Sequence, residues 1–159
     1  MTEIRGLPRA PASRRVALVV SRYHELVTAR LLDGARRCCR DHGVAESAID
    51  VLWTPGAFEL PVVAEAAAAS GRYGAIVALG CVIRGETPHF EYVAGEAARG
   101  LGNVALAHRV AVGFGVLTVE TEAQAQARAG GAAGNKGYEA AEAALATADL
   151  LTQLPRAAR

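Results

Sequence analysis

Four apolar runs alternate along the chain with stretches of helical period, and that alternation restricts the fold more than any other feature. Val16–Val20 is continuously apolar, as in a strand buried on both faces. Ile49–Trp53, Ala75–Ile83 and Val110–Val119 are further strand-like runs. Between the first two, Glu25–His42 places Val27, Leu31, Ala35 and Cys38 on one helical stripe and stops at Gly43. A second helix is predicted from about Phe58 to Ser70, with Pro61 in its first turns. A third runs from Pro88 to about His108. After the fourth strand, Thr121 with Gln124 reads as a capping box opening a short helix to Ala129. Gly130–Gly134 reads as a loop, and a last helix covers Gly137–Thr152. The order β-α-β-α-β-α-β-α-α predicts a three-layer α/β/α sandwich around a four-stranded parallel sheet.

The chain has 159 residues, 52% of them hydrophobic, which suits one domain with a sizeable core. Its boundaries are set at 15–159. Residues 1–14 carry Pro8 and Pro11, show no period, and read as an extended arm. The net charge of +1 points to neither nucleic acid nor a membrane surface as partner. No apolar run reaches membrane-spanning length. Met1–Arg15 lacks the apolar centre of a secretory signal. Cys38, Cys39 and Cys81 show no CxxC or Cys/His ligand spacing, so they read as reduced thiols of a cytoplasmic protein without a metal.

The stretch Gly80–Tyr92 (GCVIRGETPHFEY) carries the densest chemistry. It leaves a strand, turns at Arg84-Gly85-Glu86 and enters a helix, with Thr87 suited to an N-cap and Pro88 to the first helical position. His89 then lies in the first turn, where free N–H groups can hold a phosphate beside an imidazole. A capped helix start with a solvated histidine explains the same residues. In parallel α/β sheets ligands bind beyond the carboxyl ends of the strands. Tyr23, the segment Ala57-Phe58-Glu59 and Cys81–His89 follow strands one to three. Phe114 lies within strand four, with Arg128 and Lys136 after it. Tyr23 and Phe114 offer flat faces for a planar ring, or core aromatics. Glu59 can accept from sugar hydroxyls, or complement a helix dipole. Arg128 and Lys136 can enclose a phosphate with the Thr87 helix start, or be solvated charges. Arg84 joins them or holds the turn; the residues alone leave this open. Of the 17 basic residues only Lys136 is lysine, through codon bias or because that position needs a compact ammonium.

Several chemistries are disfavoured. Asn135 separates Gly134 from Lys136 and a helix precedes that loop, so the Walker pattern fails. No GxGxxG follows the first strand, and no Ser-His-Asp or Cys-His order is convincing. The residues by themselves support a protein that binds a planar ring and a phosphate, with His89 as acid and base.

Pro55–Pro61 (PGAFELP), Ala78–Val93 (ALGCVIRGETPHFEYV), Phe114–Thr118 (FGVLT) and Ala127–Gly137 (ARAG…AGNKG) occur in one order and spacing. On these motifs the chain resembles the lumazine synthase family of riboflavin biosynthesis, from about Val16 to Leu151. The resemblance implies a flavodoxin-like fold and a condensation of 5-amino-6-(D-ribitylamino)uracil with 3,4-dihydroxy-2-butanone 4-phosphate. The product is 6,7-dimethyl-8-ribityllumazine, with phosphate and water released and no cofactor used. It further implies that Tyr23 stacks on the pyrimidine and that Ala57, Phe58 and Glu59 hold the ribityl chain and ring edge. Cys81, Val82 and Ile83 would contact the pyrimidine mainly through backbone. Glu86 and Thr87 would bind the phosphate ketone, with Arg128 as phosphate cation and Lys136 supporting that end. His89 would move protons, and Phe114 would come from a neighbouring subunit.

Departures from the family pattern are small. Tyr23 stands where many members have Phe or Trp, and Ala132 where many carry Lys, so one positive charge is missing near the phosphate end. The family forms pentamers, and twelve of these close into a sixty-subunit shell in some members; the short Gly130–Gly134 loop favours the shell here. The family's N-terminal arm often adds a strand to a neighbour's sheet, a role open to Met1–Arg14. Retention of Thr87, Arg128 and Lys136 argues against the related archaeal-type riboflavin synthase. A weak paralogue acting in flavin binding or as a shell protein is argued against by the filled catalytic positions. A flavodoxin-like electron carrier lacks support because its phosphate loop after strand one is absent.

Overall fold

The computed structural model describes residues 1–154, and residues 155–159 of the domain read from the sequence lie outside them. The first three strands are β1 (Arg15–Ser21), β2 (Ile49–Thr54) and β3 (Tyr73–Ile83). Helix α1 (Glu25–Asp41) joins the first pair, and α2 (Leu60–Ala69) the second. Helix α3 (His89–His108) leads to β4 (Ala111–Val119), followed by α4 (Glu122–Arg128). The four strands are parallel in the order β2-β1-β3-β4. The arrangement is flavodoxin-like, with helices on both faces.

Burial explains which strands are central. β1 is buried from Val16 to Ser21 and β3 almost throughout, matching their unbroken apolar runs. β4 is an edge strand whose Phe114 and Thr118 are exposed, and β2 is the other edge, with Trp53 exposed. Along β1 the side chains alternate between the two layers. Val16, Leu18 and Val20 pack with Leu31, Cys38, Ala144 and Leu145. Ala17 and Val19 pack with Leu60, Ala64, Leu101 and Val104. Each fully buried leucine contributes about 1.5–3 kcal/mol relative to exposure.

The Gly130–Gly134 segment is not an irregular loop. Ala129–Gly131 (β5) and Gly134–Asn135 (β6) form an antiparallel ribbon, because Gly130 (φ 97°) and Gly134 (φ 77°) accept the left-handed conformations its tight turn requires. Asn135 then caps α5 (Lys136–Gln153): its Oδ1 accepts from the N–H groups of Gly137 (2.9 Å) and Tyr138 (3.1 Å). Its Nδ2 donates to the Arg30 carbonyl at 2.9 Å, fixing this corner to α1. Half of the predicted capping box forms: the Thr121 hydroxyl accepts from Gln124 N–H at 3.2 Å, while Gln124 Oε1 accepts from Glu120 N–H at 2.8 Å rather than from Thr121.

Residues 1–11 form no helix or strand, and residues 5–9 lie against α5 of their own chain. Leu7 N–H donates to Asp149 Oδ2 at 2.9 Å, and Arg9 pairs with Asp149 at 3.0 Å. At the amino ends of the strands, Arg15 grips Asp50 with two bonds of 2.6 Å, and the Tyr73 hydroxyl donates to the same carboxylate at 3.0 Å. The bidentate pair ties β1 to β2, and the Tyr73 bond adds β3. The Arg15 bonds, helped by Tyr73 and against the cost of burial, hold the Asp50 carboxyl down at about 2.

Candidate active site

The exits of β1 and β2 are bound to each other. Arg22 N–H donates to the Thr54 carbonyl (2.8 Å), and Tyr23 N–H to the Pro55 carbonyl (3.0 Å). These bonds set the Tyr23 ring, 69% exposed, beside the segment that follows β2. Ala57–Glu59 is one turn of 3-10 helix rather than the start of α2, which begins at Leu60. That turn buries Ala57, leaves Phe58 exposed, and lays the Glu59 carboxylate over Gly56.

The end of β3 presents backbone rather than side chains. Cys81 and Val82 are buried and Ile83 is half-buried. Burial, with a smaller push from Glu122, raises the Cys81 thiol to about 11, so it stays protonated and is a poor nucleophile.

Arg84 holds the turn. Its Nε pairs with Glu120 (2.9 Å), Nη1 approaches Glu91 (3.5 Å), and the guanidinium lies 4.6 Å from the Phe90 ring centre. Glu86, Thr87 and His89 are exposed. The helix start differs from the sequence expectation by one residue. Pro88, at φ −70° and ψ 5°, is the N-cap, and no side chain caps the helix. Its carbonyl accepts the first bond, from Glu91 N–H at 3.0 Å, so His89 is the first helical residue. Thr87 stands one position too early for its hydroxyl to cap. Among the described residues, the His89 ring has no hydrogen-bond partner.

Tyr23, Ala57–Glu59, Cys81–Ile83 and Glu86–His89 therefore meet at the carboxyl ends of β1, β2 and β3. Phe114 is not brought there. It pairs with Ala78, three residues before the Cys81–Leu117 pair, hence about 10 Å down the sheet, and on the open edge strand. An open groove of about 470 Å³ runs along this edge, bordered by Phe114, Thr118, Arg128, Lys136, Glu139 and Ala143. Arg128 Nη1 donates to the Gln124 carbonyl at 3.2 Å, and Lys136 Nζ pairs with Glu139 at 2.8 Å. The sequence reading missed Glu139, although its position three residues after Lys136 on a helix was a usable signal. It also passed over His24, whose backbone conformation leaves no mark in the sequence.

Fold and geometry define a class: a parallel α/β protein with polar and aromatic residues gathered at its strand ends and an open groove on its sheet edge. Residues 13–152 match the model of the 6,7-dimethyl-8-ribityllumazine synthase family, and the chain belongs to that family. It is a transferase of riboflavin biosynthesis, condensing 5-amino-6-(D-ribitylamino)uracil with 3,4-dihydroxy-2-butanone 4-phosphate. No helix among the described residues is long and apolar enough to cross a membrane.

Proposed function

We propose that the reaction takes place in a slot shared by two copies of the chain. One copy contributes Tyr23 against the pyrimidine, Ala57, Phe58 and Glu59 along the ribityl chain and ring edge, and the Cys81–Ile83 backbone. Glu86, Thr87 and His89 of that copy hold the phosphate ketone and move its protons. The neighbour contributes Phe114 as the second ring wall, Arg128 as the phosphate cation and Lys136 beside it. The observation that carries this reading is the common groove of Phe114, Arg128 and Lys136 on the sheet edge, apart from the strand-end residues. Pentamers built from such contacts, closing into a sixty-subunit shell, are the assembly we propose, in the cytoplasm. The short glycine turn before α5 supports the shell.

The chemistry proceeds by proton movements. The substrate amine attacks the ketone carbonyl and loses water to give an imine. Removal of a proton and elimination of inorganic phosphate follow, and the ribityl-bearing nitrogen closes the second ring with loss of another water. His89, exposed and without a hydrogen-bond partner among the described residues, is available to take and return these protons. Holding both substrates in one slot supplies the remaining acceleration. The domain proposed for this work is 15–159, with 1–14 as an arm.

The experiment is a lumazine-formation assay on the protein and on His89→Ala, followed by absorbance and fluorescence against the uncatalysed blank. The expected result is a rate well above blank that falls by about 10²-fold or less in the variant, because positioning persists without the proton relay. An unchanged rate in His89→Ala would remove the proton-transfer role.

A further inference from the structure

Consecutive side chains normally diverge, to opposite faces of a strand or about 100° apart on a helix. Tyr23 and His24 do the opposite: their ring centres are 4.7 Å apart at an interplanar angle of 72°, an edge contact. The cause is the backbone of His24, which lies at φ 58° and ψ 47°, in the left-handed region that few residues other than glycine enter. This corner is clamped. The His24 carbonyl accepts from Val27 N–H (2.9 Å) and Thr28 N–H (3.1 Å), and the Thr28 hydroxyl donates to the Ser21 carbonyl at 2.7 Å.

We propose that His24 is a positioning residue for Tyr23, fixing the angle of the ring wall against which the pyrimidine lies. The inference rests on the stacking role given to Tyr23 above. Tyr23 is 69% exposed, and among the described residues its hydroxyl has no hydrogen-bond partner. Without a buttress such a ring would sample several rotamers, and each binding event would have to select one. The contact with the imidazole removes that choice in advance. His24 thereby acts on affinity for the ring substrate and not on proton transfer.

Steady-state kinetics on Tyr23→Ala, His24→Gly and the double variant test the proposal. Glycine enters the left-handed region freely, so His24→Gly keeps the corner and removes only the ring. The expected result is a KM for the pyrimidine raised about fivefold, with kcat, the KM for the phosphate ketone and Tm not reduced. Adding His24→Gly to Tyr23→Ala should then raise KM no further. If Tyr23→Ala raises this KM and His24→Gly does not, the positioning role is overturned and stacking stands. If neither raises it, the stacking role falls and the inference with it. Effects that multiply in the double variant, or a lower Tm with equal losses for both substrates, would also overturn it.

Discussion

Phe114 lies opposite Ala78 in the β3–β4 ladder, three residues short of the Cys81–Leu117 pair at the level of the strand-end residues. The ladder register holds it there. A Cβ at Gly115 would stand 2.6 Å from Leu79 Cδ2, so β4 packs here only with glycine beside Phe114.

This separation makes a test by complementation possible. His89→Ala and Arg128→Ala should each be impaired alone. Mixed after dissociation and reassembled, they should recover activity, because some contacts join an intact strand-end half to an intact edge half. Random pairing in a symmetric ring predicts about a quarter of the wild-type sites. No recovery in reassembled mixed oligomers would mean that both halves come from one chain.

The Arg15–Asp50–Tyr73 cluster should set acid stability. The folded Asp50 carboxyl sits at about 2, below the ordinary value of about 3.9 for a free side chain. A depressed carboxylate stabilises fully above its unfolded value, and the contribution is lost as pH falls through the folded one. Asp50→Asn should therefore cost about 1 kcal/mol at pH 7, allowing for solvent screening of a partly exposed pair. The Tm difference from wild type should shrink between about pH 4 and pH 2. A difference constant over that range would refute the linkage.

Helices α1 and α5 touch at Gly137, where a Cβ would fall inside the van der Waals shell of the Leu31 carbonyl. Gly137→Ala must push the helices apart or shift the Asn135 cap. Overpacking of this kind costs about 2–3 kcal/mol, or about 5–10 °C in Tm for a domain of this size. Thermal melting checks it, and wild-type behaviour would show that the helices can part cheaply.

The three thiols should be silent in the native protein. Burial raises Cys38 to about 12, and Cys39 and Cys81 to about 11. At pH 8 a thiol reagent should label wild-type protein only at the rate of unfolding, and all three cysteines at once in denaturant. Fast labelling of Cys81 in the folded state would mean that the end of β3 opens to solvent.

Much of this was legible in the sequence, because the properties involved are local. Short continuous apolar runs between turn signals suit strands buried on both faces, and VALVV and AIVALGCVI became the central β1 and β3. The Thr121 cap was visible from its own residues, since capping needs only a hydroxyl and a backbone N–H three positions on. The cap at residues 87 and 88 was displaced by one residue, because Thr and Pro both suit helix starts and composition does not choose between them. The glycine turn before α5 read as a loop because a ribbon this short has no apolar alternation to announce it.

The sequence by itself determined the layers, the alternation and the segment after β3 where the chemistry concentrates. Each of these depends on period and residue type over a few neighbouring positions. Tertiary structure alone decided that Arg84 braces the turn, that His24 bends left-handed beneath Tyr23, and that Phe114 stands on an open edge with Arg128 and Lys136. The Arg84 and Phe114 placements depend on strand order and ladder register, which arise from contacts between residues far apart in the chain, and the His24 corner on a backbone conformation that residue type does not dictate.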